Sequence, residues 1–374
     1  MTTPDRDDLA RMSRALALAA RGRGMTSPNP MVGAVVVRDG AIIGEGFHAE
    51  AGGPHAEIVA LAAAGEGARG ATLYVTLEPC NHHGRTPPCT RAIRNAGVAR
   101  VVASVVDPNP HVTGGGADVL RAAGIEVNVG VREDEARALN RAFFTAMRRG
   151  RPHVTLKSAM TLDGKIAARD GSSRWITGAE ARAEAHRLRS ESDAVIVGIG
   201  TALADDPALD VRLEVPWPRE PWRVVVDSQA RLPAHARVIG AGRAERAVVA
   251  ITDAAPSERV AALEAAGATV ISCKSAHGRV DLADLAGRLF ALDVIAMLVE
   301  GGAELNAGFL DAGLVDRVAI FLAPKLLGGA GALTPVGGPG RSLGEALRLA
   351  RPTVRSLGDD WLIEADVASA DGAA

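Results

Sequence analysis

His55-Ala56-Glu57, Pro79-Cys80 and Cys89 set one imidazole, two thiols and one carboxylate along a short stretch of chain. Zinc accepts His nitrogen and Cys thiolate, and a catalytic zinc keeps a fourth position open for water. The metal lowers the pKa of that water toward neutrality. A glutamate two residues after the histidine is then free to move the proton from the water to a leaving amine. The assignment is His55, Cys80 and Cys89 as metal ligands and Glu57 as the catalytic acid/base.

H-x-E followed by P-C-x-x-C is the pattern of zinc-dependent deaminases, with the glutamate as proton carrier and not as ligand. Here eight residues separate the two cysteines, so the second half departs from that pattern. The competing reading is a closed structural zinc site, which needs four ligands. His82 or His83 would have to supply the fourth.

Such a site needs elements that face each other. Residues 58–61 continue from Glu57 in Ala-rich, helix-favouring sequence, and the β-rich run 71–77 leads straight to Glu78-Pro79-Cys80. Cys80 is expected to begin a second helix or its entry loop. Around this lie a helix over 7–21 and two β-runs, 32–37 and 41–46, joined through Asp39-Gly40, a hairpin signal. A helix near 90–95, a strand over 100–105 and a short strand over 125–129 follow, with helices over 115–123 and 134–147. The polar stretch 148–152, with Gly150 and Pro152, breaks structure. A second alternation then begins. Strands are expected at 153–159, 194–197, 223–226, 246–252, 268–271, 294–300 and 317–322, and helices at 179–190, 257–266, 282–291 and 304–310. This predicts α/β architecture in two domains, residues 1–148 and 152–368, with a disordered tail at 369–374.

With 374 residues and 47% hydrophobic composition, both domains have enough apolar residues for a core. A net charge of −2 and 3% aromatics speak against nucleic-acid binding. Three cysteines, two already in the metal pattern, make no disulfide framework. Cys273 follows a strand-like run and reads as an inert core thiol. The N-terminus has no apolar signal core, and no apolar run reaches membrane-spanning length. A soluble cytoplasmic protein is expected.

The first half resembles the deaminase domain of the bifunctional riboflavin biosynthesis enzymes. The resemblance rests on Thr26-Ser27-Pro28-Asn29-Pro30-Met31-Val32-Gly33, on Gly44-Glu45-Gly46-Phe47-His48, and on the segment from Glu78 to Cys89 with its long inter-cysteine spacing. The second half resembles the family's reductase domain. Its matching stretches are 157–165, Arg174-Trp175-Ile176-Thr177, 197–209 and Val299-Glu300-Gly301-Gly302. The resemblance spans nearly the whole chain in the expected order. It implies a cytidine-deaminase-like three-layer domain followed by a dihydrofolate-reductase-like α/β domain.

The implied reactions are hydrolytic deamination of 2,5-diamino-6-(5-phosphoribosylamino)pyrimidin-4(3H)-one, then NADPH-dependent reduction of the ribosyl side chain to ribityl. The product would be 5-amino-6-(5-phosphoribitylamino)uracil. By the same resemblance Asn29 and His48 would bind the pyrimidine edge. Ala159, Trp175, Thr201, Asp205, Ser228, Gly301 and Gly302 would contact NADPH. Lys157, Ser173, Arg189, Leu209, Arg212 and Glu300 would bind the reductase substrate, with Arg189 and Arg212 on its phosphate. Zinc, NADPH, a small-molecule substrate and a homo-oligomeric state are the expected cofactors and partners.

The residues taken alone leave alternatives. Asn29 between prolines suits a turn, Trp175 suits a core, Arg189 suits a solvated helix face, and Gly301-Gly302 suits a simple turn. A nucleic-acid base deaminase would show a basic patch. A single-activity enzyme with one vestigial domain would lack motif residues in one half, whereas both halves carry theirs.

Overall fold

The computed structural model describes residues 5–82, 87–109, 115–240 and 244–368; His83 and the tail 369–374 lie outside the described residues. The chain divides into two compact units, Met1–Arg151 and Pro152–Ala374.

In the first unit the chain runs α1 (Arg6–Ala19), β1 (Gly33–Arg38), β2 (Ala41–Phe47), α2 (Ala56–Ala64), β3 (Thr72–Val75), α3 (Cys89–Ala96), β4 (Arg100–Ala103), α4 (Gly116–Ala122), β5 (Glu126–Val129), α5 (Glu133–Leu139) and α6 (Arg141–Arg149). The sheet order is β2-β1-β3-β4-β5. β1 is antiparallel to both neighbours, and β3, β4 and β5 are parallel. Asp39 and Gly40 both hold positive φ, 50° and 77°, as a two-residue hairpin of the favoured twist requires.

Successive residues of a strand face opposite sides of the sheet. A Cβ on Gly33 would lie 2.0 Å from the Ala15 carbonyl oxygen of α1. On the other face, Cβ atoms on Gly44 and Gly46 would lie 2.2 and 2.5 Å from the Ala60 and Ala56 carbonyls of α2. Helices therefore cover both faces, and the absence of side chains at Gly44 and Gly46 lets α2 lie against the sheet. That close approach sets the height of the His55 end of α2.

The helix expected over 134–147 is two helices. Asn140 interrupts it at φ −104°, ψ 25°. Its amide accepts from Met31 N at 2.7 Å and donates to Met31 O at 2.9 Å. A long-range clamp thus overrides local helix propensity.

The second unit runs β6 (His153–Thr161), α7 (Ala179–Ser190), β7 (Ala194–Gly198), α8 (Ile199–Asp205), β8 (Trp222–Val226), β9 (Ala247–Ile251), α9 (Ser257–Ala265), β10 (Thr269–Ser272), β11 (Ser275–Ala276), β12 (Arg279–Val280), α10 (Leu282–Phe290), β13 (Ala296–Val299), α11 (Ala303–Asp311), β14 (Arg317–Ala323), β15 (Leu349–Leu357) and β16 (Asp360–Val367). Nine strands form one sheet, β10-β9-β8-β7-β13-β6-β14-β16-β15, and β11 with β12 makes a separate hairpin. The strands from β10 to β14 are parallel to their neighbours; β16 and β15 add an antiparallel edge. Ile196, Val224 and Val248 pack into one apolar cluster, while Val195, Val225 and Val249 pack into another on the opposite face. Burial on both faces accounts for the uninterrupted apolar runs.

Five of these elements lie outside the expected pattern: α8, the two strands of the β11–β12 hairpin, β15 and β16. α8 has seven residues and begins among glycines. β15 is almost entirely exposed and carries Arg351-Pro352, where its pairing with β16 shifts register. Cys273 is buried in the second unit's core, where burial pushes its thiol up to about 11. Among the described residues no helix is long and apolar enough to cross a membrane.

Candidate active sites

His55 is the N-cap of α2, Glu57 lies in its first turn, and Cys89 is the first residue of α3. Cys80 sits in the loop ahead of α3, not in the helix. Its position is held from α3, because Cys89 N donates to Cys80 Sγ at 3.3 Å and Thr90 N donates to Cys80 O at 3.2 Å. His55 Nδ1 lies 3.2 Å from Cys89 Sγ and 3.5 Å from Cys80 Sγ, and the three ligand atoms lie within 4.8 Å of one another.

Bonds of about 2.0–2.3 Å to a tetrahedral zinc imply ligand–ligand separations of roughly 3.5–3.8 Å, so the set fits zinc with little adjustment. His82 is not part of this group, which leaves three ligands among the described residues. Three ligands are the pattern of a site with an open position.

The cluster opens onto a cavity of about 160 Å³ whose lining includes Asn29, His48, Glu57, Glu78, Asp107 and Phe143. Burial raises the Glu57 carboxyl above its ordinary range, suiting a group that must take up and release a proton. A hydrogen bond from the Cys89 thiol holds the Cys80 thiol well below its ordinary range, at about 4. His48 is buried, and burial lowers its pKa. Its Nδ1 faces Pro54 O at 3.0 Å and its Nε2 faces Asn29 Nδ2 at 3.1 Å. A neutral ring with its proton on Nδ1 satisfies both contacts. Asn29 therefore does more than fill a turn, because its amide orients toward a ring on the cavity wall.

Asp107 went unnoticed in the sequence. It follows β4, burial raises its pKa, and it lines the same cavity. Glu78 fixes that wall by accepting from Asp107 N at 3.2 Å and Ala117 N at 2.9 Å. Nothing local marks an isolated Asp after a strand; only the fold brings it to Glu57.

In the second unit, the expected groups gather at the carboxyl ends of parallel strands, where open α/β sheets bind ligands. Glu300 follows β13 directly. Register pairs Val299 with Leu156, so Lys157 stands beside Glu300, and Lys157 Nζ lies 3.3 Å from its carboxylate. Arg189, from α7, grips the same carboxylate in a two-point contact at 2.6 and 2.9 Å. Although Glu300 is buried, the Arg189 and Lys157 charges overcome that burial and keep it ionised, far below the usual range. Arg189 is no solvated helix charge, and its third nitrogen bonds Asp210 O at 3.0 Å. Arg212 is 64% exposed at its side chain, 3.4 Å from Asp210. Its N–H donates to His186 Nδ1 at 3.2 Å, a partner the sequence did not reveal. Leu209 is buried in the core, which leaves only its backbone for a ligand.

Thr201 and Gly302 bring two strand-to-helix junctions together, since a Cβ on Gly302 would lie 3.2 Å from Thr201 Oγ1. Gly198 and Gly302 are the N-caps of α8 and α11, and free backbone N–H groups at helix starts suit phosphate. Asn306 Oδ1 is buried without a partner and would lie 2.8 Å from a Cβ on Gly301. These features fit a nicotinamide dinucleotide. Ser228 follows β8 and accepts from Val280 N at 3.0 Å. Ser173 Oγ donates to Asp205 at 3.1 Å. Trp175 is 64% exposed, which rules out a core role, and Ala159 is half-buried on β6.

The first unit, a three-layer sheet with a His-Cys-Cys cluster and a buried glutamate, is a zinc deaminase module, here followed by an α/β unit built to bind a dinucleotide. Residues 5–105 match the cytidine and deoxycytidylate deaminase zinc-binding region, and residues 152–363 match the RibD C-terminal domain. The chain is 46% identical to the riboflavin biosynthesis protein RibD of Aquifex aeolicus over 352 residues, 94% of this chain and 96% of that one. Identity to the Escherichia coli RibD is 46% over 329 residues, 85% of this chain and 88% of the relative. A solved structure of Acinetobacter baumannii RibD superposes with a TM-score of 0.88 at 40% identity, covering 97% of this chain and 99% of that one. The chain belongs to the RibD family, the bifunctional deaminase–reductases of riboflavin biosynthesis. The two domains imply zinc and a nicotinamide cofactor.

Proposed function

We propose that the first unit deaminates 2,5-diamino-6-(5-phosphoribosylamino)pyrimidin-4(3H)-one and that the second reduces the product's ribosyl group to ribityl with NADPH. The observation that carries this reading is the His55-Cys80-Cys89 cluster with Glu57 buried at its side, in one chain with a dinucleotide-shaped junction. When bound, zinc supplies an activated water and NADPH supplies a hydride.

Glu57 takes the proton from the water and returns one to the departing ammonia. Asn29 and His48 hold the pyrimidine edge. In the second unit, Thr201, Asp205, Ser228, Gly301 and Gly302 hold the cofactor, with Trp175 and Ala159 against it. Ser173, the Leu209 backbone, Lys157 and Glu300 hold the ribosyl chain. Arg212, whose side chain is mostly exposed, takes the phosphate, while Arg189 keeps Glu300 ionised and oriented.

The protein is read as a cytoplasmic homo-oligomer. Leu326, Leu327, Leu333, Leu343, Leu347 and Leu349 are exposed close together in sequence, the kind of apolar surface a second copy would cover. Sedimentation velocity tests the assembly.

The function is tested by supplying the diaminopyrimidinone phosphate with no cofactor, NADPH or NADH, and identifying products by mass. Exchange of one amine for oxygen without cofactor, and gain of two hydrogens only with NADPH, is the expected result. Unchanged substrate with the zinc-loaded protein would refute the deaminase reading.

A further inference from the structure

The segment 173–176 is irregular backbone, yet it is anchored by several separate elements. Ser173 Oγ donates to Asp205 Oδ1 at 3.1 Å, and Arg174 donates to Asp205 O at 2.6 Å, both at the end of α8. The Arg182 guanidinium, from α7, lies 4.5 Å from the centre of the Trp175 ring. The remaining anchor comes from far along the chain. Lys325, two residues past β14, donates through Nζ to Trp175 O at 2.9 Å and to Ile176 O at 2.6 Å. Its own backbone is held as well, since Lys325 N donates to Ala323 O and Lys325 O accepts from Leu162 N, at 2.8 and 2.9 Å.

An ammonium has three donors on a flexible stem, and hydrogen bonds from a charged donor are about twice as strong as neutral ones. Two consecutive carbonyls turned toward one ammonium fix the orientation of both peptides. The ring they support is 64% exposed. A large indole held this firmly yet left uncovered is a platform for a planar ligand group.

We propose that Lys325 is a positioning residue for the reductase, fixing the Trp175–Ile176 peptides so that the indole and Ser173 meet cofactor and substrate in one arrangement. This rests on the reading of the second unit as an NADPH reductase with Trp175 against the cofactor. Preorganisation lowers the ordering cost that ligand binding would otherwise meet.

The test uses the full-length, zinc-loaded protein and NADPH titrated by calorimetry, alongside thermal unfolding and ammonia release. Lys325→Met should raise the NADPH dissociation constant roughly tenfold, the scale of one lost charge-assisted hydrogen bond. Lys325→Arg, which keeps charged donors, should recover most of it, and ammonia release should not change. In a Trp175→Ala background, Lys325→Met should weaken binding much less, because the lysine acts through that residue. A merely structural lysine would lower the unfolding temperature but leave affinity intact, or would weaken binding equally in both backgrounds; either result overturns the proposal. Should Lys325→Met not fold, Lys325→Gln carries the same comparison. If the unsubstituted protein binds no NADPH, the reductase reading itself falls and the role of Lys325 with it.

Discussion

The two sites of this chain solve opposite electrostatic problems. In the first unit, the metal-binding groups come from two helix starts and the loop ahead of the second, and the acids around the cavity are pushed toward their neutral forms by burial. In the second, Lys157, Arg189 and Glu300 come from three elements, and paired charges hold one another ionised. The first arrangement is completed by a metal that brings its own charge. The second is charged before any ligand arrives, so its binding groups also contribute to holding the unit together. Function and stability should therefore be separable at the deaminase carboxylate and inseparable at the reductase ion pair.

The sharpest way to break that contrast is to remove a metal ligand. Cys80→Ser or Cys89→Ser should abolish both bound zinc and ammonia release while leaving NADPH-dependent reduction of the deaminated intermediate intact; metal analysis with separate assays of each half decides it. Glu57→Gln should retain zinc and lower deamination by about 10²–10⁴-fold, the usual contribution of a general acid/base. Zinc loss in that variant would show the carboxylate to be a ligand.

A smaller effect, on stability, is expected in the second unit. Arg189→Ala leaves Glu300 buried with Lys157 alone and should cost about 3–5 kcal/mol, as for other broken buried pairs. Arg14→Ala, which removes the half-exposed partner of Glu45, should leave stability almost unchanged, because solvent screens that pair. Urea unfolding monitored in each unit compares the two, and equal costs would erase the distinction.

The smallest effect concerns pH. His186 has its pKa lowered by burial and by the Arg189 and Arg212 charges, against Glu300 and Asp210, which oppose the shift. The unfolded chain then binds the proton more readily than the folded one. This histidine's contribution should be lost as pH falls from its ordinary value, about 6.5, through the lower folded value. His186→Gln should flatten that part of the second unit's stability profile, read from urea midpoints between neutral and mildly acidic pH.

Much of the fold was legible because both sheets bury two faces. Runs such as 194–197 and 223–226 have no other use for so many branched apolar residues. The His-Cys-Cys cluster was legible because ligand chemistry limits residue type and the two halves of the motif lie close in sequence. Lys325 and His186 were not, because each acts through a backbone group more than twenty positions away and a lone lysine or histidine carries no pattern. The same holds for β15, whose exposed face leaves no apolar alternation to read. Arg189 lies in a recognisable helix, yet its pairing with Glu300 exists only because the fold brings β13 and α7 together.

The clamp between Asn140 and Met31 has a consequence for the order in which the protein is made. The two residues are 109 positions apart, and Phe143, just beyond, also lines the deaminase cavity. At about 5–20 residues per second of synthesis, Asn140 emerges roughly 5–20 s after Met31. The three ligand residues, the last of them Cys89, therefore leave the ribosome well before the clamp on Met31 can close. During that interval the three ligand residues are all present, but the Met31 peptide still lacks its Asn140 partner.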